Sequence, residues 1–138
     1  MAKRLLIIGN GFDIDLGLKT RYSDFSKSNN WKTLMKDTYS FETDLLGVLL
    51  KAKEKDAWFD IEKNMNEYVR SIKPHDLVDN NINKDKANFE KVSDALSNYL
   101  TEEQENRILN KDSYAAQVLR MIVEAGGFDI YTFNYTNL

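Results

Sequence analysis

The chain has 138 residues and a formal net charge of −3, from 19 basic and 22 acidic side chains. This length fits one domain with a modest core, and the charge balance argues against the nucleic-acid backbone as the main partner. Cysteine is absent, which excludes disulfides, thiol nucleophiles and thiolate zinc sites, and a single histidine excludes a histidine-rich metal site. Because no apolar run is long enough to span a membrane, we expect a cytoplasmic protein with no metal and no membrane or nucleic-acid partner.

The first predicted element is a short buried strand. Residues 4–8 (Arg-Leu-Leu-Ile-Ile) form a continuous apolar run that ends at Gly9, which is typical of a parallel strand. A strand that leads through Gly9-Asn10-Gly11 into a helix can point backbone N–H groups at a phosphate, since glycine permits close approach. The alternative is a tight strand-to-helix turn that binds no ligand.

Two well-known phosphate-binding motifs do not fit this turn. A dinucleotide-binding fingerprint needs a third glycine at position 14, where the chain has Ile14. A P-loop needs glycine at position 18, where the chain has Leu18. The following Lys19 is therefore interpreted as a solvated charge.

The middle of the chain predicts helices. Apolar residues recur at helical spacing in three stripes, which run from Phe41 to Leu50, from Trp58 to Ile72 and from Phe89 to Tyr99. The second helix should end before Pro74. Residues 77–86 are polar and rich in Asn and Asp, so we expect a loop there.

A last helix and a second strand close the sequence. The apolar stripe from Ala115 to Val123 follows a capping residue, Asp112 or Ser113, and stops at Gly126-Gly127. Residues 128–133 (Phe-Asp-Ile-Tyr-Thr-Phe) then read as a strand. The predicted fold is a single α/β domain over residues 1–138. It has a Rossmann-like parallel-sheet core of two recognisable strands and a large helical insertion at about residues 20–125.

Two strands do not make a stable sheet alone. Either a partner completes the sheet or the chain is a piece of a longer protein, and we favour the piece. We expect the isolated chain to be inactive, to expose a sheet edge and to associate through that edge, or to have it covered by the helices. A parallel pairing would also bring the carboxyl ends of both strands side by side.

Several polar residues near these strand ends are candidates for a site. Asp13 begins the helix after the turn, where a carboxylate caps N–H groups or contacts ribose hydroxyls. Asn10 fits a tight turn, since asparagine tolerates positive φ. Asn134 follows the second strand at its carboxyl end, where open α/β sheets place ligand-binding groups.

We interpret most of the other polar and aromatic residues of the motifs as structural. Tyr22 and Phe25 are interpreted as core residues, and Trp58 as helix packing. Asp60 and Glu62 are two residues apart and cannot share a helix face, which argues against a metal site. Glu62 remains open as an isolated acid or base.

Four segments stand in an order known from one family of proteins. They are Leu6-Ile7-Ile8-Gly9-Asn10-Gly11-Phe12-Asp13, then Gly17-Leu18-Lys19-Thr20-Arg21-Tyr22-Ser23-Asp24-Phe25, then Trp58-Phe59-Asp60-Ile61-Glu62, and last Thr132-Phe133-Asn134-Tyr135-Thr136. They closely resemble the motifs of the AbiH-type bacteriophage abortive-infection proteins, although Lys19 stands where proline is common. Members of that family are usually longer, so the resemblance implies that this chain is the N-terminal portion of a longer architecture.

The glycine turn and the last motif together also resemble, more distantly, sirtuin-like NAD-binding domains. That resemblance implies that NAD or a related nucleotide contacts Gly9, Asn10, Gly11, Phe12, Asp13, Asn134, Tyr135 and Thr136. It implies catalytic roles for Asn134, which would bond the ribose or position a water, and for Asp13. Thr136 replaces an aspartate of the sirtuin-like pattern, and His75 is a poor substitute for the histidine expected after that strand.

The leading functional hypothesis from these resemblances is a nucleotide hydrolase domain of a prokaryotic phage-defence protein. It would cleave a glycosidic or phosphate linkage of a nucleotide after infection. The alternative is a non-catalytic module that senses a nucleotide or assembles with a partner.

Overall fold

A computed structural model describes residues 4–55, 59–73 and 79–134, without the side chains of residues 79–81. Within these residues the chain forms two strands and seven helices. In chain order they are β1 (Arg4–Ile8), α1 (Asn10–Asp15), α2 (Tyr22–Phe25), α3 (Asn29–Leu34), α4 (Leu45–Lys55), α5 (Ile61–Ser71), α6 (Asp79–Asn106), α7 (Tyr114–Ala125) and β2 (Phe128–Thr132). The described chain is therefore mostly helical.

The chain divides into two compact units. One comprises Met1–Arg21 and Leu100–Leu138 and holds both strands with α1 and α7; we call it the sheet unit. The other comprises Tyr22–Tyr99 and holds α2 to α5 with most of α6; we call it the helical unit.

The two strands of the sheet unit pair in parallel. The register runs from Arg4 opposite Phe128 to Ile8 opposite Thr132. One residue later the Phe133 N–H donates to the Ile8 carbonyl at 3.1 Å. The pairing confirms that the carboxyl ends of the two strands lie side by side. Among the described residues the sheet has two strands, which fits an α/β class without displaying a wider Rossmann-like sheet.

The sheet unit leaves much apolar surface exposed. Leu5 and Ile7 are each 60% exposed, and Tyr131, opposite Ile7 on β2, is 63% exposed. Helix α7 buries Ala115, whereas Val123 of the same predicted stripe is 81% exposed. Leu5, Ile7 and Tyr131 form an exposed apolar face of the sheet. Parallel strands are normally covered on both faces, so this face has the composition of a surface that another element covers.

The helical unit has a closed core instead. Phe25 lies edge-on to Trp31 with ring centroids 5.6 Å apart, and Trp31 lies edge-on to Phe59 at 5.2 Å. Phe25 also contacts Tyr99 at 5.5 Å. All four rings are buried, with Leu45, Leu49, Ile61 and Val92 among the other buried residues. Phe25 is thus a core residue, as the sequence indicates, and each ring pair adds about 0.5–1.5 kcal/mol beyond burial.

The predicted loop at residues 77–86 is wrong for residues 79–86, which are helical. These residues are the first turns of α6, and residues 77 and 78 lie outside the described part of the chain. Two contacts fix these turns: Lys84 Nζ lies 2.9 Å from the Asp44 carboxylate, and Tyr68 Oη donates to Asp85 at 2.8 Å. Tertiary contacts of this kind override the weak helix propensity of Asn and Asp.

Helix α4 begins four residues later than the start of its predicted stripe. Phe41 is 80% exposed and stacks on Tyr39, outside the helix. Asp44 ends that segment and caps α4, because its Oδ1 accepts from the Gly47 N–H at 3.0 Å. The capping side chain, rather than the apolar pattern, therefore sets the start of α4.

Other helix ends agree with the sequence signals. Ser113 is the N-cap of α7 and accepts from the Ala116 N–H, as one of the two predicted caps. Helix α7 stops at Gly126, whose φ is +63°. Helix α5 ends at Ser71, ahead of Pro74.

Gly47 should resist replacement by alanine. A Cβ at this position of α4 would lie 2.5 Å from the Glu42 carbonyl oxygen and 2.6 Å from the Glu42 Cβ. We expect Gly47→Ala to destabilise the protein by about 1–3 kcal/mol in urea unfolding, because backbone must move to make room. The matched control is Gly11→Ala in α1, where a Cβ meets nothing within 4 Å and which should be neutral or stabilising. Equal effects of the two substitutions would contradict the close approach at Gly47.

The charge of Asp44 should add stability only above about pH 4. Burial raises the pKa of its carboxyl, but the hydrogen bonds from Lys84 and Gly47 outweigh burial and hold the pKa below its ordinary value of 3.8. A depressed folded-state pKa means that the contribution is present above the unfolded pKa and is lost as pH falls through the folded one. Asp44→Asn keeps a capping side chain and removes the charge. Its stability deficit in urea unfolding should be constant from pH 5 to pH 7 and vanish in acid; a deficit independent of pH would show that the charge is irrelevant.

Candidate functional site

The glycine turn leaves open backbone at the end of β1. Gly9 is the N-cap of α1 in an extended conformation, with φ −129°, and its carbonyl accepts from the Phe12 N–H at 2.9 Å. Neither Gly9 nor Gly11 has positive φ, and a Cβ on either would meet no atom of the described residues within 4 Å. The described fold therefore does not itself require glycine at these two positions.

Asn10 lies in a helix, and the expectation of a positive φ there is wrong. It is the first residue of α1, and among the described residues positive φ occurs only at glycines. Its side chain bonds Thr20: Asn10 Nδ2 donates to the Thr20 carbonyl at 3.3 Å, and Asn10 Oδ1 accepts from the Thr20 hydroxyl.

Asp13 and Asn134 meet at the carboxyl edge of the sheet. Asp13 is 1% exposed in the first turn of α1, and Asn134 Nδ2 donates to its Oδ1 at 2.7 Å. Asn134 is held there because its own N–H donates to the Thr132 hydroxyl at 3.0 Å. A hydrogen bond to a buried carboxylate is among the stronger ones in proteins, so it joins the two strand ends although they are 121 residues apart.

The other amide atom of Asn134 is unsatisfied. Its Oδ1 is buried and has no hydrogen-bond partner among the residues that the structure describes. An unmet buried acceptor costs about 1–3 kcal/mol, and such exceptions in native proteins point to a bound water, ion or ligand.

Contacts across α1 fix the position of Asp13. Asp15 Oδ2 accepts from the Ala115 N–H at 2.7 Å, and the Leu16 carbonyl accepts from the Asn110 N–H at 2.8 Å. These bonds hold α1 against the start of α7. Sequence reasoning missed them because their partners are about a hundred residues away and carry no local signal.

The structure describes some of the residues that the sequence predicts to form the site, and not others. Gly9, Asn10, Gly11 and Phe12 form the turn and the start of α1, which leads directly into the Asp13–Asn134 contact. Tyr135, Thr136 and His75 lie outside the described residues. Within the described ranges no group of three His, Cys, Asp or Glu side chains is placed to hold a metal ion.

Two other motif residues pair within the helical unit. Tyr22 Oη donates to Glu62 Oε1 at 2.5 Å, which joins the second and third motifs of the sequence. Asp60 is the N-cap of α5 and accepts from the Lys63 N–H at 3.0 Å, a structural role. Trp58 lies outside the described residues.

The helical unit also contains an open cavity of about 650 Å³. It is lined by the segment before α4, the end of α5 and the first turns of α6, including Asp44, Tyr68 and Asp85. Burial, together with the hydrogen bond to Asp85, raises the pKa of the Tyr68 hydroxyl well above its ordinary value. Tyr68 donates to Asp85, and Lys84 pairs with Asp44, so the cavity wall is held by internal contacts.

Comparison with known proteins agrees with the motif order. The model of the family described as "Bacteriophage abortive infection AbiH" matches residues 5–138. The chain belongs to the AbiH family. No curated protein and no solved structure matches the chain.

In the described ranges no helix is both long and apolar enough to cross a membrane. This is therefore a protein of a phage abortive-infection family whose motifs at both chain ends meet at Asp13 and Asn134.

Replacing Asn134 by aspartate should disrupt the sheet edge in a pH-dependent way. Asn134→Asp would put a second carboxylate against buried Asp13, and two carboxylates in contact cannot both ionise. We expect a lower melting temperature than wild type at pH 7 and a smaller difference in acid, where protonation of one carboxylate removes the repulsion. The control is Asn106→Asp, an exposed position whose amide donates to the Glu102 carbonyl. A pH-independent loss at Asn134, or an equal loss at Asn106, would contradict the contact.

Proposed function

We propose that this AbiH-family chain carries the nucleotide-binding site of a phage-defence hydrolase, with NAD or a related nucleotide bound at the glycine turn. The observation that carries the proposal is the buried Oδ1 of Asn134, which has no partner among the described residues and follows β2 at the sheet edge where the glycine turn follows β1. Polar groups that lack a partner inside a protein are most simply explained by the ligand they serve.

The two glycines support a diphosphate at the turn. Glycine in a helix is about 1 kcal/mol less favourable than alanine, and at Gly11 the fold has space for a side chain. The benefit of glycine here then comes from outside the fold, as close approach of a ligand to the backbone. Gly9 and Gly11 would admit phosphate oxygens, and Phe12 would lie next to them.

Asp13 and Asn134 support chemistry on the ribose side of such a ligand. Asn134 Oδ1 would accept a hydrogen from a ribose hydroxyl or from an attacking water, while its Nδ2 keeps Asp13 in place. Asp13, an acceptor when ionised, would take the proton of that water as the water oxygen bonds to the ribose carbon or the phosphorus, and the glycosidic or phosphate bond would break with its electron pair on the leaving group. Tyr135 and Thr136 follow directly in the chain and would extend the same site.

A second candidate function is non-catalytic sensing or assembly. The exposed apolar face at Leu5, Ile7 and Tyr131 favours it, because such surface is typical of an interface. In this candidate the turn binds a nucleotide without cleaving it, or binds none, and the sheet associates with another copy or a partner through its edge.

Binding measurements on two variants test the proposed site. Calorimetry with NAD, ADP-ribose and ATP should show binding by the wild type and none by Gly11→Val, because the added side chain fills the approach to the backbone. Asn134→Ala should bind more weakly than wild type by about 1–3 kcal/mol. Gly11→Ala is the control of intermediate side-chain size, between the wild type and Gly11→Val. Circular dichroism verifies that each variant folds.

Two outcomes would overturn the proposal. If the wild type binds none of the three nucleotides at millimolar concentration, the turn is structural and the non-catalytic module is the better account. If Gly11→Val binds as tightly as the wild type, the ligand does not approach the glycine backbone. In either case light scattering of the wild type and of Ile7→Lys tests assembly. We expect the variant to assemble more weakly, because it puts a charge on the exposed apolar face.

A further inference from the structure

The loop after α1 folds back to the first residue of that helix. Gly17 adopts φ +95°, which reverses the chain, and the Leu18 N–H donates to the Asp13 carbonyl at 3.0 Å. The Lys19 N–H then donates to Glu103 Oε2 at 3.2 Å. The loop is thereby held against both α1 and the end of α6 before it reaches Thr20.

Thr20 makes two hydrogen bonds to one side chain. Its carbonyl accepts from Asn10 Nδ2 at 3.3 Å, and its hydroxyl donates to Asn10 Oδ1. A carbonyl can only accept, so the atom of Asn10 that faces it must be the nitrogen. Thr20 therefore fixes which way the Asn10 amide points.

Fixing the Asn10 amide also affects the glycine turn, because Asn10 lies between Gly9 and Gly11. Helix α1 has six residues, and its N-cap Gly9 supplies no side-chain hydrogen bond. A helix this short has little stability of its own. The bonds from Thr20 act on its first residue, at the point where the two open glycines flank it.

We infer that Thr20 is a positioning residue of the nucleotide site. It holds the Asn10 amide, and with it the backbone from Gly9 to Gly11, in the shape that the ligand meets. The inference rests on the proposed function. It makes Asn10 a residue whose orientation is set before the ligand binds.

A series at position 20 tests the inference by binding. Thr20→Val keeps the shape of the side chain and removes its hydroxyl, whereas Thr20→Ser keeps the hydroxyl. We expect ADP-ribose to bind Thr20→Val about five-fold more weakly in calorimetry, and Thr20→Ser to bind within about two-fold of the wild type. The matched control is Thr101→Val, an exposed threonine of α6 in the same unit, which should bind as the wild type does.

Hydrogen exchange on the ligand-free chain provides a second readout. The Phe12 amide, bonded to the Gly9 carbonyl at 2.9 Å, should exchange about five-fold faster in Thr20→Val than in the wild type and in Thr20→Ser. Unchanged exchange in Thr20→Val overturns the inference, even if no nucleotide binds and the proposed function itself fails. Faster exchange with unchanged ADP-ribose affinity also overturns it, because Thr20 then serves the fold alone. Failure of Thr20→Ser to rescue either readout shows that the hydroxyl is not responsible.

Discussion

The hydrogen bond between Asn134 Nδ2 and the buried Asp13 carboxylate is the contact on which the sheet unit depends. It closes a span of 121 residues at the point where both strands end. The parallel register places Asn134 at that point, and the contacts of α1 with α7 place Asp13 there. A buried carboxylate without such a donor would be costly, so the pairing and the position of α1 support each other.

The two units use their apolar residues in different ways. In the helical unit four aromatic rings from α2, α3, α6 and the segment before α5 close one core. In the sheet unit Leu5, Ile7 and Tyr131 remain exposed. Parallel strands are normally covered on both faces, so this apolar face is of the kind that another element covers. The same unit carries the strand edge at which we propose that a nucleotide binds.

Sequence reasoning predicted the parts of the fold that carry local signals. Strand β1, the stop of α7 at Gly126 and the meeting of the strand ends follow from short apolar runs, glycine and the parallel connection. The helical conformation of residues 79–86 did not follow, because Lys84 and Asp85 are held by Asp44 and Tyr68, which are distant in sequence. In the site the predicted parallel pairing of the strands indicated that the segment with Asp13 and the segment with Asn134 lie side by side. That Asn134 Oδ1 meets no donor among the described residues could be found only from coordinates.

A double-mutant cycle on the contact tests this account most directly. Asp13→Ala, Asn134→Ala and the double variant are compared with the wild type by urea unfolding. A hydrogen bond to a buried carboxylate predicts a coupling free energy of about 1.5–3 kcal/mol between the two positions. Effects that add to within about 0.5 kcal/mol would show that the two side chains do not interact, and the strand ends would then not form one site.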